Sequence, residues 1–317
     1  MMTLRVVSLL SLGALAIGTL SSCAKHNKDD VQIVASFHNM AEPFFVAMRR
    51  NLEDEARKLH VDATVVDGQS NSAKQTADVA AAMADNVDGI ILAPTDVNAL
   101  TPAVKDVVKA DIPIVTVDRR VEGMTPPVPH VGADNIAGGA VMAKWVIDSF
   151  PKGARIVLIT GQPGSSSAID RTHGIEQAFA ASGPRYRIVT SQTANWQRDQ
   201  GLTVAQNILT SLGAAKPDVI LAEDDDMALG AVEALRAGNV TGVSVLGFNA
   251  TPDALRAVKA GTMAATVEQS PSRQIRTALD QLVAHIRTKA PMAGASITPV
   301  LITRANLSQA ERIGEAQ

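Results

Sequence analysis

Short apolar runs rich in β-branched residues, each followed by a turn and a helical period, repeat along the chain and constrain its fold more than any other feature. The runs fall at 31–36, 63–67, 89–93, 112–117, 155–160, 187–191, 218–222 and 243–248. Most are apolar without alternation, as strands covered on both faces must be. Between them Phe45, Met48, Leu52, Ala56 and Leu59 form one apolar stripe with arginine and glutamate opposite, and similar stripes run through 73–84, 97–109, 136–149, 197–210 and 226–236. Alternating β and α in short steps predicts a parallel, doubly wound sheet. There are too many units for one compact sheet, and the pattern restarts after the proline-rich stretch 125–129, so a break is expected near 131–135. The reading is an α/β chain of two similar doubly wound parallel-sheet domains with a ligand cleft between them. Ligands of open α/β sheets sit beyond the carboxyl ends of the strands, which makes the residues after each strand the place to look for function.

The N-terminal segment has a different character. Arg5 is the only charge before Lys25, and an apolar run covers 6–20. That is shorter than the ~20 residues of a membrane span and matches the apolar core of a signal peptide. It ends in Leu20-Ser21-Ser22-Cys23, which resembles the bacterial lipobox: cleavage before Cys23 would free a thiol to carry lipid. The alternative is a plain secretory signal with an incidental cysteine nearby. Residues 1–22 are thus expected to be a lipoprotein signal peptide and 23–30 a polar tether. Cys23 is the only cysteine, which removes disulfides and cysteine-based metal sites. Net charge is −3 with no basic patch, so nucleic acid is not an expected partner.

Several strand ends carry chemistry. The first run leads into Phe37-His38-Asn39-Met40-Ala41-Glu42-Pro43-Phe44-Phe45. Pro43 suits the first turn of a helix, and Glu42 sits near the positive end of its dipole. Two adjacent aromatics cannot both face one stripe, so either Phe44 or Phe45 is expected to face the cleft; the competing reading buries both. Asp118-Arg119 offers acceptors beside a planar donor fork, suited to vicinal hydroxyls, or forms an ordinary solvated ion pair. The loop 161–167 precedes Arg171 and is neither a Walker loop nor a nucleophile elbow. Trp196 follows another strand in a chain with 3% aromatics, where a loop tryptophan reads as a binding platform. In Glu223-Asp224-Asp225-Asp226 one acid is expected to cap the next helix, and the spacing of a calcium loop is absent. Phe248-Asn249 and Glu268-Gln269 stand at further strand ends. His26, His38, His60, His130, His173 and His285 are isolated from one another, and neither a metal site, a cofactor site nor a nucleophile–base pair is expected. Binding rather than catalysis is the reading.

These residues carry a family likeness. Pro43-Phe44-Phe45, Pro94-Thr95-Asp96, the stretch 113–119, Asp134-Asn135, the stretch 226–231, Gly247-Phe248 and Thr251-Pro252-Asp253 resemble the ribose-type periplasmic sugar-binding proteins, whose fold is shared with LacI-type regulators. The resemblance, which spans about 31–303, implies the type I periplasmic binding protein fold, with domains at 31–133 plus 270–298 and 134–269 plus 299–317. It also implies a multi-strand hinge crossing near Asp134, Ser270 and Pro299. A sugar or polyol would be sandwiched between Phe44 or Phe45 and Trp196, and hydrogen-bonded by Asp118, Arg119, Arg171 and Gln269. Three positions depart from the ribose pattern: Glu42 stands where asparagine is common, Asp224 likewise, and Asn249 where aspartate is common. The set expected at the ligand is thus Phe37, Glu42, Phe44, Phe45, Asp118, Arg119, Arg171, Trp196, Asp224, Asn249 and Gln269. The implied partner is the permease of an ABC importer, with the protein monomeric, lipid-anchored and facing the periplasm or cell exterior. Alternatives are a LacI-type regulator core, a chemotaxis sugar receptor, and a hydrolase using Glu42 and Asp224 as its carboxylate pair.

Overall fold

A computed structural model describes residues 31–316; Cys23 and the signal-like segment lie outside the described residues. Six strands form each of two sheets. The first sheet contains β1 (Val31–Phe37), β2 (Val61–Asp67), β3 (Gly89–Leu92), β4 (Ile114–Val117), β5 (His130–Ala133) and β11 (Ala295–Ile297), in the order β2-β1-β3-β4-β5-β11. The second contains β6 (Ala154–Thr160), β7 (Tyr186–Thr193), β8 (Val219–Ala222), β9 (Ser244–Leu246), β10 (Ala265–Glu268) and β12 (Val300–Thr303), in the order β7-β6-β8-β9-β10-β12. Pairing is parallel throughout except for β12, which runs antiparallel to β10 with Ala265 opposite Thr303. Strands β3, β4 and β8 are buried along their whole length, which explains their unbroken apolar sequences.

Helices cover both faces of each sheet. In α1 (Pro43–Leu59) the expected stripe is the buried one: Phe45, Met48, Leu52 and Ala56 pack on β1, β3 and on α9 (Pro271–Thr288). The helix α4 (Asn135–Ser149) lies against α5 (Ser166–Ser182) at unusually close range, since a Cβ on Gly139 would come 2.2 Å from the carbonyl oxygen of Arg171. A side chain there would displace the turn that carries Arg171. Beyond β8, α7 (Asp225–Ala237) is capped by Asp224, which accepts the Met227 amide at 2.9 Å.

The chain passes between the sheets where β5 gives way to α4 at Asp134, where β10 gives way to α9 at Gln269 and Ser270, and between β11 and β12 at Thr298 and Pro299. Among the described residues no helix is long and apolar enough to cross a membrane.

Candidate functional site

The strand order places β1 beside β3 in the first sheet and β6 beside β8 in the second. In each case the connections on either side of that pair run in opposite directions, leaving a crevice at the carboxyl ends. The two crevices meet in one small cavity lined by Glu42, Phe44, Phe45, Asp118, Arg119, Ser167, Arg171, Trp196, Asp224, Asn249 and Gln269. A larger open depression beside α5, lined by Thr160, Ile169, His173 and Glu176 among others, contains none of the expected residues.

From the first sheet, β1 delivers Glu42 and the paired rings, and β4 delivers Asp118 and Arg119. Phe44 and Phe45 meet edge to face at 5.3 Å, and both line the cavity while their bodies pack in the core. The choice between one facing the cleft and both being buried was too narrow, because a ring at the rim of a core does both. Phe37 is the exception among the expected residues. Its ring packs fully buried behind Phe45, 5.7 Å away, so it supports the wall without lining the cavity. As the last residue of β1 it still belongs to the buried end of the strand, with Ala35 and Ser36, whereas the turn that follows is what faces the cleft.

Asp118 and Arg119 are not a solvated pair: both side chains are under 5% exposed, with Arg119 Nε 3.5 Å from Asp118 Oδ2 and Arg119 Nη2 3.8 Å from Glu42 Oε2. Asp118 adopts a positive φ of 61°, a conformation costly for a residue with a Cβ and concentrated at ligand sites. Asp118 Oδ1, Arg119 Nε and Arg119 Nη1 are buried without a hydrogen-bond partner. Buried polar groups are rarely left so, and these open onto the cavity wall. Burial raises the Asp118 pKa against the pull of Arg119 and Arg171, and pushes Glu42 up to about 7 against the same two guanidiniums.

The second sheet's groups are held by their own neighbours. Arg171 donates from Nε to Asn135 Oδ1 at 2.8 Å and from Nη1 to the Glu223 carbonyl at 2.5 Å, and its guanidinium lies 3.6 Å from the centre of the Phe248 ring. Burial lowers its pKa to about 10, leaving it cationic at neutral pH. Asn249 accepts from Gln269 Nε2 at 2.7 Å through its side chain and from Arg312 Nη2 at 2.5 Å through its carbonyl; Gln274 in turn donates to the Gln269 carbonyl at 2.8 Å. Trp196 has a φ of 66°, sits under both Arg119 and Arg171 at 5.4 and 5.6 Å, and leaves Nε1 without a partner. Its seat exists only because residue 161 is glycine: a Cβ there would fall 2.0 Å from the indole.

Three of the four consecutive acids have separate places. Asp224 lines the cavity while capping α7, and burial followed by Asp226 raises its pKa well above the carboxylate range. Glu223 accepts from the Gly161 amide at 2.7 Å and the Thr172 hydroxyl at 2.5 Å, and Asp225 from Thr266 Oγ1 at 2.6 Å and the Thr251 amide at 2.7 Å. Burial pushes both Glu223 and Asp225 up to about 7. Sequence reasoning missed Ser167, Asn135, Gln274 and Arg312. Ser167 carried a signal in its place in the 161–167 loop, and Asn135 in the Asp134-Asn135 stretch; Gln274 acts from α9 and Arg312 from the C-terminal segment.

The two halves also touch outside the cavity. The Val97 amide donates to the Gly164 carbonyl at 2.9 Å, the Arg120 amide to Ser166 Oγ at 3.0 Å, and the Arg120 guanidinium pairs with Asp170. The structure is closed over the site.

Against known proteins, residues 33–290 match the model of a periplasmic binding protein domain. The chain belongs to the periplasmic binding protein family. It is 36% identical over 265 residues to the ribose import binding protein RbsB of Escherichia coli strain K12, covering 83% of this chain and 86% of that protein. The crystal structure of a Caulobacter myo-inositol binding protein bound to myo-inositol superposes with a TM-score of 0.89 at 52% identity, covering 91% of this chain and 98% of that one. A solute binding protein from Bacillus halodurans with bound myo-inositol gives 0.84 at 28% identity, covering 91% and 100%. The α/β two-domain architecture is that of the type I periplasmic binding proteins. Membership places the chain among the extracytoplasmic sugar- or polyol-binding components of ABC transporters, for which hinge closure over the ligand is general.

Proposed function

We propose that this periplasmic binding protein captures myo-inositol, or a closely related cyclic polyol, and delivers it to an ABC importer. The observation that carries the reading is the gathering of hydroxyl partners around one small cavity: three carboxylates and two guanidiniums, with an amide pair. A saturated ring bearing a hydroxyl at every carbon can donate to Glu42, Asp118 and Asp224 and accept from Arg119 and Arg171. Its C–H faces would lie between the Phe44–Phe45 pair and Trp196. A carboxylate only accepts, and fully ionised the five charged groups would leave the cavity one unit negative, which penalises acidic sugars and phosphorylated polyols. Glu42, Asp224 and Asn249, which depart from the ribose pattern, are the positions proposed to set ligand choice. The likeness to two proteins solved with myo-inositol supports the same ligand.

The proposed domains are 31–133 with 270–298 and 134–269 with 299–317, rotating about the crossings at Asp134, Gln269–Ser270 and Thr298–Pro299. Closure would form the Arg120–Asp170 pair and the Val97–Gly164 bond, giving the permease a surface that exists only in the loaded state. The protein is proposed to act as a monomer held to the membrane through lipid on Cys23; labelled palmitate should enter the wild type and not Cys23→Ser, and equal labelling would remove the anchor from the account. A thermal-shift panel of cyclitols, pentoses, hexoses and linear polyols tests the ligand class. The largest shift is expected with myo-inositol, and a larger one with ribose would overturn the assignment.

A further inference from the structure

Glu42 stands at the N-cap of α1 yet makes no capping hydrogen bond, so something else fixes its carboxylate. That neighbour is His38, one turn earlier, whose ring is fully buried at the end of β1 with Nε2 3.0 Å from Glu42 Oε1. On the other side of the ring, Nδ1 is 3.4 Å from Thr95 Oγ1, whose hydroxyl can turn to donate to it because Gln75 Oε1 already accepts the Thr95 amide at 2.8 Å; Ser70 Oγ lies 3.4 Å from Nε2. The ionised Glu42 carboxylate, closest to the ring at 3.0 Å, can only accept, which assigns the ring proton to Nε2. Burial, reinforced by Arg119, keeps the imidazole neutral, its pKa lowered to about 2.

Resting on the cavity reading above, we propose that His38 is the positioning residue for ligand selection, donating from Nε2 to Glu42 Oε1 so that Oε2 is held beside Arg119 as an acceptor for one ligand hydroxyl. An unfixed glutamate on a helix end would sample several rotamers and could present either oxygen to Arg119. The buried donor removes that freedom and favours the ionised, acceptor-only form. The charged groups facing Glu42 act in both directions. Arg119 from the end of β4 and Arg171 from α5 favour its charge, while Asp67 from the end of β2, Asp118 beside Arg119, and Asp224 and Asp226 at the start of α7 oppose it. To that balance His38 adds one N–H at 3.0 Å, which favours the ionised carboxylate near neutral pH. Affinity should therefore rise with pH through about 7 as Glu42 loses its proton.

The test uses two variants of equal length, His38→Gln, which keeps an N–H near the position of Nε2, and His38→Met, which does not. Myo-inositol is titrated calorimetrically into both from pH 6 to 9. His38→Gln should stay within about threefold of the wild type at pH 7, and His38→Met should bind about tenfold more weakly, because a buried acceptor has lost its donor. The deficit of His38→Met should shrink to about threefold or less at pH 9, where Glu42 is ionised without help. Carboxyl ¹³C NMR of the ligand-free protein, assigned with Glu42→Gln, should show the Glu42 midpoint moved upward in His38→Met and not in His38→Gln. Equal affinities for the two variants, or an unmoved Glu42 midpoint in His38→Met, would overturn the role of His38. A Glu42 midpoint moved in His38→Met, alongside a wild type that takes no myo-inositol, would uphold His38 and remove the ligand assignment instead.

Discussion

The two walls of the cavity are built on different terms. On the second wall the charged and amide side chains are braced by protein: Arg171 by Asn135 and the Glu223 carbonyl, Asp224 by the Met227 amide, Asn249 by Gln269 and Arg312. On the first wall Asp118 and Arg119 face each other at 3.5 Å, with Asp118 Oδ1 and two guanidinium nitrogens unpartnered, and only Glu42 has a close donor. The second wall is therefore organised before any ligand arrives, and its groups contribute to folding as well as to binding. The first wall holds desolvated charge that a hydroxylated ligand would complete, so its groups contribute to affinity with little return in stability of the ligand-free state.

Arginine replacements break the comparison most sharply. Arg171→Ala removes two internal hydrogen bonds and a ring contact, and should lower the unfolding free energy of the ligand-free protein by about 3–5 kcal/mol while abolishing binding. Arg119→Ala should also abolish binding, yet change ligand-free stability by about 1 kcal/mol or less, since its carboxylate neighbours can take up protons instead. Denaturant melts of the two variants decide the matter; equal destabilisation would erase the difference between the walls.

The bracing of the second wall has a pH signature. Glu223 carries a pKa raised from 4.5 to about 7, so the folded state holds a proton that the unfolded chain has lost. The stability tied to that group is intact below about pH 4 and drains away as pH rises through about 7, a span worth on the order of 3 kcal/mol. Ligand-free wild type should thus weaken between pH 5 and 8, and Glu223→Gln should show a shallower decline in the same melts. An identical slope would mean that Glu223 is ionised throughout.

Asp118→Asn sharpens the comparison from the other wall. The side chain keeps its shape but trades an acceptor for a donor, so calorimetry should show a loss of about 1–3 kcal/mol in binding, while the ligand-free melting temperature holds or rises. The smallest effect is expected at the indole. Trp196→Phe keeps an aromatic face but gives up area and the unpartnered Nε1–H, and should cost about 1 kcal/mol of affinity. The intrinsic fluorescence response to ligand should vanish in that variant, because Trp145 lies half-buried on α4 against Phe150, among residues that do not line the cavity.

How much of this was legible depends on where each signal lives. Strands buried on both faces announce themselves as unbroken apolar runs, and because ligands sit beyond their carboxyl ends, nearly every cavity residue could be named from its distance to a run. Several of the elements that went unread have a locally weak signal. The strand β5 is only His130–Ala133 behind a proline-rich loop, β11 and β12 are three and four residues long, and α5 begins in a serine-rich loop that looks like a turn. Phe37 was misplaced because strand-end proximity does not say which way the last side chain points. The bracing roles of Asn135, Gln274 and Arg312 were unreadable for a different reason. Their roles are set by packing between elements up to 63 residues apart, a relation that no local pattern encodes.

The central claim is that this cavity is a cyclic-polyol site completed by the ligand on its first wall. Titration calorimetry of myo-inositol and of ribose into the wild type, repeated with Asp118→Asn, tests it most directly. The account predicts one site per chain, tighter binding of myo-inositol than of ribose by about a hundredfold, and a loss of myo-inositol affinity in the variant. Tighter binding of ribose, or myo-inositol binding indifferent to Asp118, would contradict it.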